Sequence, residues 1–221
     1  MELSGELFST AFRLWAGMLY AILLVLALRL AYWRRLLERE QLHLFLGSCV
    51  ALILLWQIRV QVDSNWSFHL LGITAVTLML GWSFAVLAGS IVELALSLNH
   101  AQNWEGFALN AFLLILIPAT LTQVILVLVR SLLPRNFFIF VLVNAFLTAG
   151  LAALVSGFLA VGLLLYSGAQ DWEYLRLSLV PFFPLMFLPE AVVNGWIVTI
   201  LVLYKPGWVS SFSDELYLNG K

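Results

Sequence analysis

Ionisable side chains are scarce in this chain, so each one is a candidate for chemistry. His69 stands in Ser67-Phe68-His69-Leu70-Leu71-Gly72, where it opens an apolar span just after a polar turn. Imidazole is the commonest metal-ligating side chain near neutral pH, and it suits nickel, cobalt, zinc and copper. The same residue would serve as a helix cap or an interfacial anchor. His43 follows a basic loop and reads as interfacial, and His100, in Asn99-His100-Ala101-Gln102-Asn103, reads as a solvated loop residue. Glu93 and Glu190 interrupt apolar helices, where an ionisable group is costly; each could carry a proton, bind a metal or hydrogen-bond to a neighbouring helix. Pro181, Pro184 and Pro189 predict a broken or kinked last helix, whose freed carbonyls a polar neighbour can satisfy, and this puts a structural role first for Glu190. Asn110 and Asn194 read as interhelical hydrogen-bond formers, each contributing roughly 0.5 to 1 kcal/mol. Cys49, inside an apolar run, reads as a buried and inert thiol.

What must position these groups is a membrane body. Of the 221 residues, 63% are hydrophobic and only 10% are charged, and the mean hydropathy is +1.01. Those values lie far outside the range of a soluble domain. Backbone amides in hydrocarbon must be satisfied internally, and long unbroken apolar runs exclude the alternation of a transmembrane barrel, so the fold class is all-α and polytopic. A net charge of -1 without a basic run argues against nucleic acid. No phosphate loop, paired cysteine ligands, Gly-x-Ser-x-Gly elbow or His-Glu-x-x-His motif is present, so the chain reads as no enzyme and has no visible means of hydrolysing ATP. Energy for uphill transport would come from elsewhere.

Apolar segments run from about Phe8 to Trp33, Leu42 to Gln57, Phe68 to Leu98, Phe107 to Val129, Phe137 to Tyr166 and Leu177 to Tyr204. The first lacks the basic start of a signal peptide, since Glu2 and Glu6 precede it, so the N-terminus is expected to be retained and outside. The third is far longer than the roughly twenty residues a crossing needs. It reads as two short helices joined by a tight turn at Gly81-Trp82, which gives about seven spans. With seven spans Arg34, Arg35, Arg39, Arg130, Arg135, Lys205 and Lys221 all fall in the cytoplasm, leaving Arg13, Arg59 and Arg176 outside with Asp63, Glu105, Asp171 and Glu173. That is the positive-inside bias, and six spans would largely erase it. Residues 1–221 form one membrane domain, with 205–221 as a short cytoplasmic tail. Ala27 and Ala31, and Gly150, Gly157 and Gly162, would let helices approach closely, either within the chain or against a partner.

Taken in order, His69-Leu70-Leu71-Gly72, the turn at Gly81-Trp82, Gly106-Phe107-Ala108-Leu109-Asn110-Ala111-Phe112, and Pro189-Glu190-Ala191 with Asn194-Gly195 resemble the CbiM-type substrate-capture subunit of cobalt and nickel energy-coupling-factor transporters. The resemblance spans nearly the whole chain. It implies a seven-helix protein of the bacterial cytoplasmic membrane that captures a divalent transition metal as substrate, with no permanently bound cofactor. It also implies a transmembrane coupling subunit and cytoplasmic ATPase subunits as partners. In that family the metal is held by the terminal amine, by the backbone nitrogen and side chain of a histidine after the initiator methionine, and by the histidine opening the third helix. The matching positions are Met1, Glu2 and His69, and only His69 is kept. Asn110, Glu190, Asn194 and Glu93 are the polar groups expected to support the site or the helix packing. A carboxylate from Glu2 in place of imidazole tilts preference towards zinc, manganese or iron, whereas the affinity order still favours copper and nickel. A second reading is an assembly or sensor protein that kept this fold and lost the metal site. An intramembrane enzyme would need Glu93 and Glu190 as a close pair, and nothing in the sequence places them together.

Overall fold

The computed structural model describes residues 2–63, 66–99 and 101–217. Among these described residues five helices are long and apolar enough to cross a membrane, with shorter helices between and after them. Helix α1 (Thr10–Leu30) is followed by α2 (Arg39–Gln57), and then by α3 (Ile73–Leu80) and α4 (Trp82–Asn99). The long α5 runs as Phe107–Ala111, a π-helical stretch Phe112–Leu116 and Ile117–Leu132. Helix α6 has the same construction: Phe137–Ile139, a π stretch Phe140–Leu147 and Thr148–Tyr166. The short α7 (Trp172–Ser178) precedes α8 (Phe183–Tyr204), and α9 (Asp214–Tyr217) ends the described chain.

The break between α3 and α4 falls at Gly81, whose φ of +87° an L side chain rarely adopts, so two short helices replace one long one. The final apolar segment is divided too. Leu179 leads into a short 3-10 turn over Val180–Phe182, and α8 starts only at Phe183. Pro189 then lies within α8.

One expectation needs correcting. His69 does not open α3. The helix begins at Ile73, and Gly72 before it is held at φ +69°. His69 belongs instead to the connection leaving a small three-stranded antiparallel sheet, which was not foreseen: β1 (Glu2–Leu3), β2 (Val60–Asp63) and β3 (Trp66–Phe68), in the order β1-β3-β2. Glu2 pairs with Ser67, and Leu3 with Trp66.

Gly72 also lies under α2, where an added Cβ would come within 2.8 Å of the Leu55 Cδ2 methyl. Left-handed backbone alone costs an L residue roughly 1 to 2 kcal/mol. Gly72→Ala is therefore expected to lower the thermal midpoint of the detergent-solubilised protein by several degrees; an unchanged midpoint would exclude the strain.

Of the small residues, all but Gly162, which faces open space, serve internal packing here. Gly150 faces the Phe187 ring and Gly157 the Phe183 ring, both on α8, while Ala27 is fully buried. The outer face of α1, with Leu14, Trp15, Ile22 and Val25, is exposed and apolar, as a lipid-facing surface requires. The ends of the bundle differ in their charged contacts. Arg13 pairs with Glu105, and Arg59 with Glu2, beside the sheet; Arg130 reaches the Ser211 carbonyl and the Tyr217 hydroxyl at the opposite end. Residues 210 and 211 lie against the far end of α3: the amides of Ser210 and Ser211 donate to the carbonyls of Met79 and Leu78, at 3.0 and 3.1 Å, and the Ser211 hydroxyl donates to Leu78 as well.

Candidate functional site

The sheet places the N-terminal strand beside the segment that leads to His69. β1 is held along both edges. β3 occupies one, and on the other the Asn110 side chain substitutes for a strand, its Oδ1 accepting from the Leu3 amide at 2.9 Å and its Nδ2 donating to the Leu3 carbonyl at 3.0 Å. A primary amide has the donor and acceptor spacing of a peptide group, so one buried Asn on α5 satisfies both backbone groups of a residue that would otherwise strand them. Glu2 is itself buried, and its carboxylate accepts from Arg59 Nη1 at 2.6 Å. Arg59 is fixed in turn by its Nε, which donates to the Trp56 carbonyl at 3.0 Å.

His69 is half-buried beside the Trp56 ring, with ring centroids 5.2 Å apart. Its Nδ1 lies 3.1 Å from the Leu70 carbonyl. A carbonyl only accepts, so this contact places the proton on Nδ1 and leaves the lone pair of Nε2 free for a metal. Burial above all, with a smaller contribution from the positive charge of Arg59, holds the imidazole well below its ordinary pKa and so favours the neutral ring.

The residues after His69 are fixed from two sides. Trp56 donates its indole N–H to the Leu71 carbonyl at 2.9 Å. From α8, the Glu190 carboxylate accepts the amides of Leu71 and Gly72, one on each oxygen and both at 2.7 Å. Asn194, one turn further on, accepts from the Ala75 amide at 2.9 Å and donates back to Glu190 Oε1 at 2.8 Å and to its carbonyl at 2.9 Å. The Gly72 and Ala75 amides are among the unpaired N–H groups that begin a helix, here capped by a carboxylate and an amide from another helix; a negative charge is favoured at that end.

The candidate residues thus divide by location. Glu2 and His69 come to the same sheet, and Asn110, Glu190 and Asn194 brace the two segments that carry them. Asn194 forms the expected interhelical bond, from α8 to the Ala75 amide of α3, whereas Asn110 bonds to the backbone of strand β1 rather than to another helix. Glu93 is buried on α4, where it feels the charges of Glu2 and Arg59, but among the described residues it makes no hydrogen bond with His69 or with Glu190. Met1 and His100 lie outside the described residues. Among those described, no three of His, Cys, Asp and Glu gather as a metal-holding group. Trp56 and Arg59 were not singled out from sequence; Arg59, a cation closely following an apolar span, was the available signal.

A bundle of apolar helices whose N-terminal strand is locked beside a lone neutral histidine defines a multi-pass membrane protein with a small extra-helical cap. The family model CbiM, cobalt uptake substrate-specific transmembrane region, matches residues 3–208, and the chain belongs to that family. It is accordingly a transmembrane component of cobalt uptake. Comparison with curated proteins and with solved structures gave no match.

Proposed function

We propose that this protein is the substrate-capture subunit of an energy-coupling-factor transporter in a bacterial cytoplasmic membrane, binding a divalent transition metal at the outer face. The observation that carries this reading is the pairing of Glu2 with Ser67, which brings the start of the chain to the strand that leads into His69. His69 Nε2 supplies the imidazole ligand, and the amine of Met1 and the backbone or carboxylate of Glu2 complete the set. With one imidazole fewer than the family pattern, cobalt and nickel compete with zinc, copper, manganese and iron. A transmembrane coupling subunit and cytoplasmic ATPases drive release to the inside. The second reading, an assembly or sensor protein without a metal site, draws on the Glu2 carboxylate already being engaged by Arg59.

Plasma mass spectrometry on protein with a native, untagged N-terminus separates the two. Near-stoichiometric metal in the native chain, lost in His69→Ala, is the expected result. No metal in either protein, even after loading with several divalent ions, would overturn metal capture.

A further inference from the structure

Helices α2 and α8 leave a long groove between them, floored by α3, that metal capture does not use. Its volume is about 760 Å³ and its walls are mainly apolar, with Leu44, Ala51, Leu55 and Ile197 among them. At one end stand Arg39, Glu40, His43 and Trp208. The Glu40 carboxylate is taken by the Trp208 indole N–H at 2.7 Å, and Arg39 has no ion pair among the described residues. Arg34, Arg35 and Lys205 belong to the same end, joined there by the exposed Glu38, so it carries a positive excess. A tryptophan beside cations marks the head-group level of a membrane protein.

From this arrangement we infer that the groove is a binding site for one anionic phospholipid, with its phosphate on Arg39 and His43 and an acyl chain lying along α2. Basic pockets between helices recognise acidic head groups in this way, by charge at the mouth and apolar surface behind it. The length fits. From Arg39 to Leu55 the groove follows α2 for about 24 Å at 1.5 Å per residue, enough to carry a chain from the head-group plane through the bilayer centre. The wall is also unfilled where a chain would pass: a Cβ built on Gly47 meets nothing within 4 Å. At its far end the groove reaches Gly72 and Ala75, the residues whose amides Glu190 and Asn194 hold. A lipid seated there would pack under the segment that follows His69.

The test is native mass spectrometry of the full chain, extracted in detergent and offered equal amounts of phosphatidylglycerol and phosphatidylethanolamine. One phosphatidylglycerol per chain is expected to be retained over phosphatidylethanolamine by at least about five-fold. Arg39→Gln with His43→Gln should reduce that preference to near unity, and Gly47→Phe, whose ring enters the groove, should abolish retention of either lipid. If Gly47→Phe does not fold, the double variant decides alone. Equal retention of the two lipids by the native chain, or phosphatidylglycerol retention unchanged in the double variant, would overturn the proposal. So would a copurifying membrane subunit or second copy that Gly47→Phe releases in place of lipid, since the groove would then be a helix-docking surface.

Discussion

Glu190→Ala is expected to yield a protein that barely survives purification, although position 190 lies in α8, outside the N-terminal strand and the His69 connection. Truncation removes the acceptors of the Leu71 and Gly72 amides and one acceptor of the Asn194 amide, all in a site closed to water. A buried donor left unsatisfied costs roughly 1 to 3 kcal/mol, so the combined loss of about 3 to 5 kcal/mol is a large part of the stability of an ordinary domain. Glu190→Gln keeps one carbonyl oxygen but points an NH2 group at a donor, and should cost about 1 to 3 kcal/mol. Size-exclusion profiles and thermal midpoints in detergent check both. A Glu190→Ala variant that melts within a degree or two of the native protein would show that the carboxylate does not hold the segment.

The second large effect is expected at Asn110. Leucine has the same branching at Cγ but can neither accept from the Leu3 amide nor donate to the Leu3 carbonyl, so Asn110→Leu frees one edge of β1. The loss of two buried hydrogen bonds should cost about 2 to 3 kcal/mol locally, enough to raise the opening of the N-terminal strand by one to two orders of magnitude. Hydrogen exchange at the Leu3 amide reads that opening directly. With the metal capture proposed above, metal content should fall at least tenfold in the same variant, because β1 is no longer held against the strand that leads to His69. Unchanged exchange at Leu3 would refute the bracing role of Asn110, whereas faster exchange with metal retained would refute only the contribution of the N-terminus to the site.

The spans were legible from hydropathy because apolar runs of this length have one solution in a bilayer. The α3–α4 break was legible because a run too long for one crossing carries a glycine at its middle. Other features depend on contacts that no local pattern announces. β1 is two residues long, and it exists because residues 66–68 and Asn110 meet it across more than sixty positions of sequence. Without that sheet in view, His69 read as the first residue of a helix that starts four positions later, at Ile73. The asparagines were visible as polar groups at membrane depth, and Asn194 does bond between helices; that Asn110 bonds to a strand instead could not be read locally, since either partner satisfies the same amide. Trp56 was one of nine tryptophans with nothing to mark it, yet it both flanks the imidazole and bonds the Leu71 carbonyl.

Helix α3 is fastened at both ends by chain remote in sequence: Glu190 and Asn194 at its start, Ser210 and Ser211 at its finish. Eight residues at 1.5 Å each make it a ruler of about 12 Å between those fixtures. One inserted residue would lengthen it by 1.5 Å and turn everything beyond by 100°, so that whichever fixture stayed engaged, the other would face the wrong side of the helix. Substitutions along α3 change what the ruler touches, but its graduation is indivisible, and insertions or deletions within 73–80 should be tolerated far less than in the connection between α1 and α2.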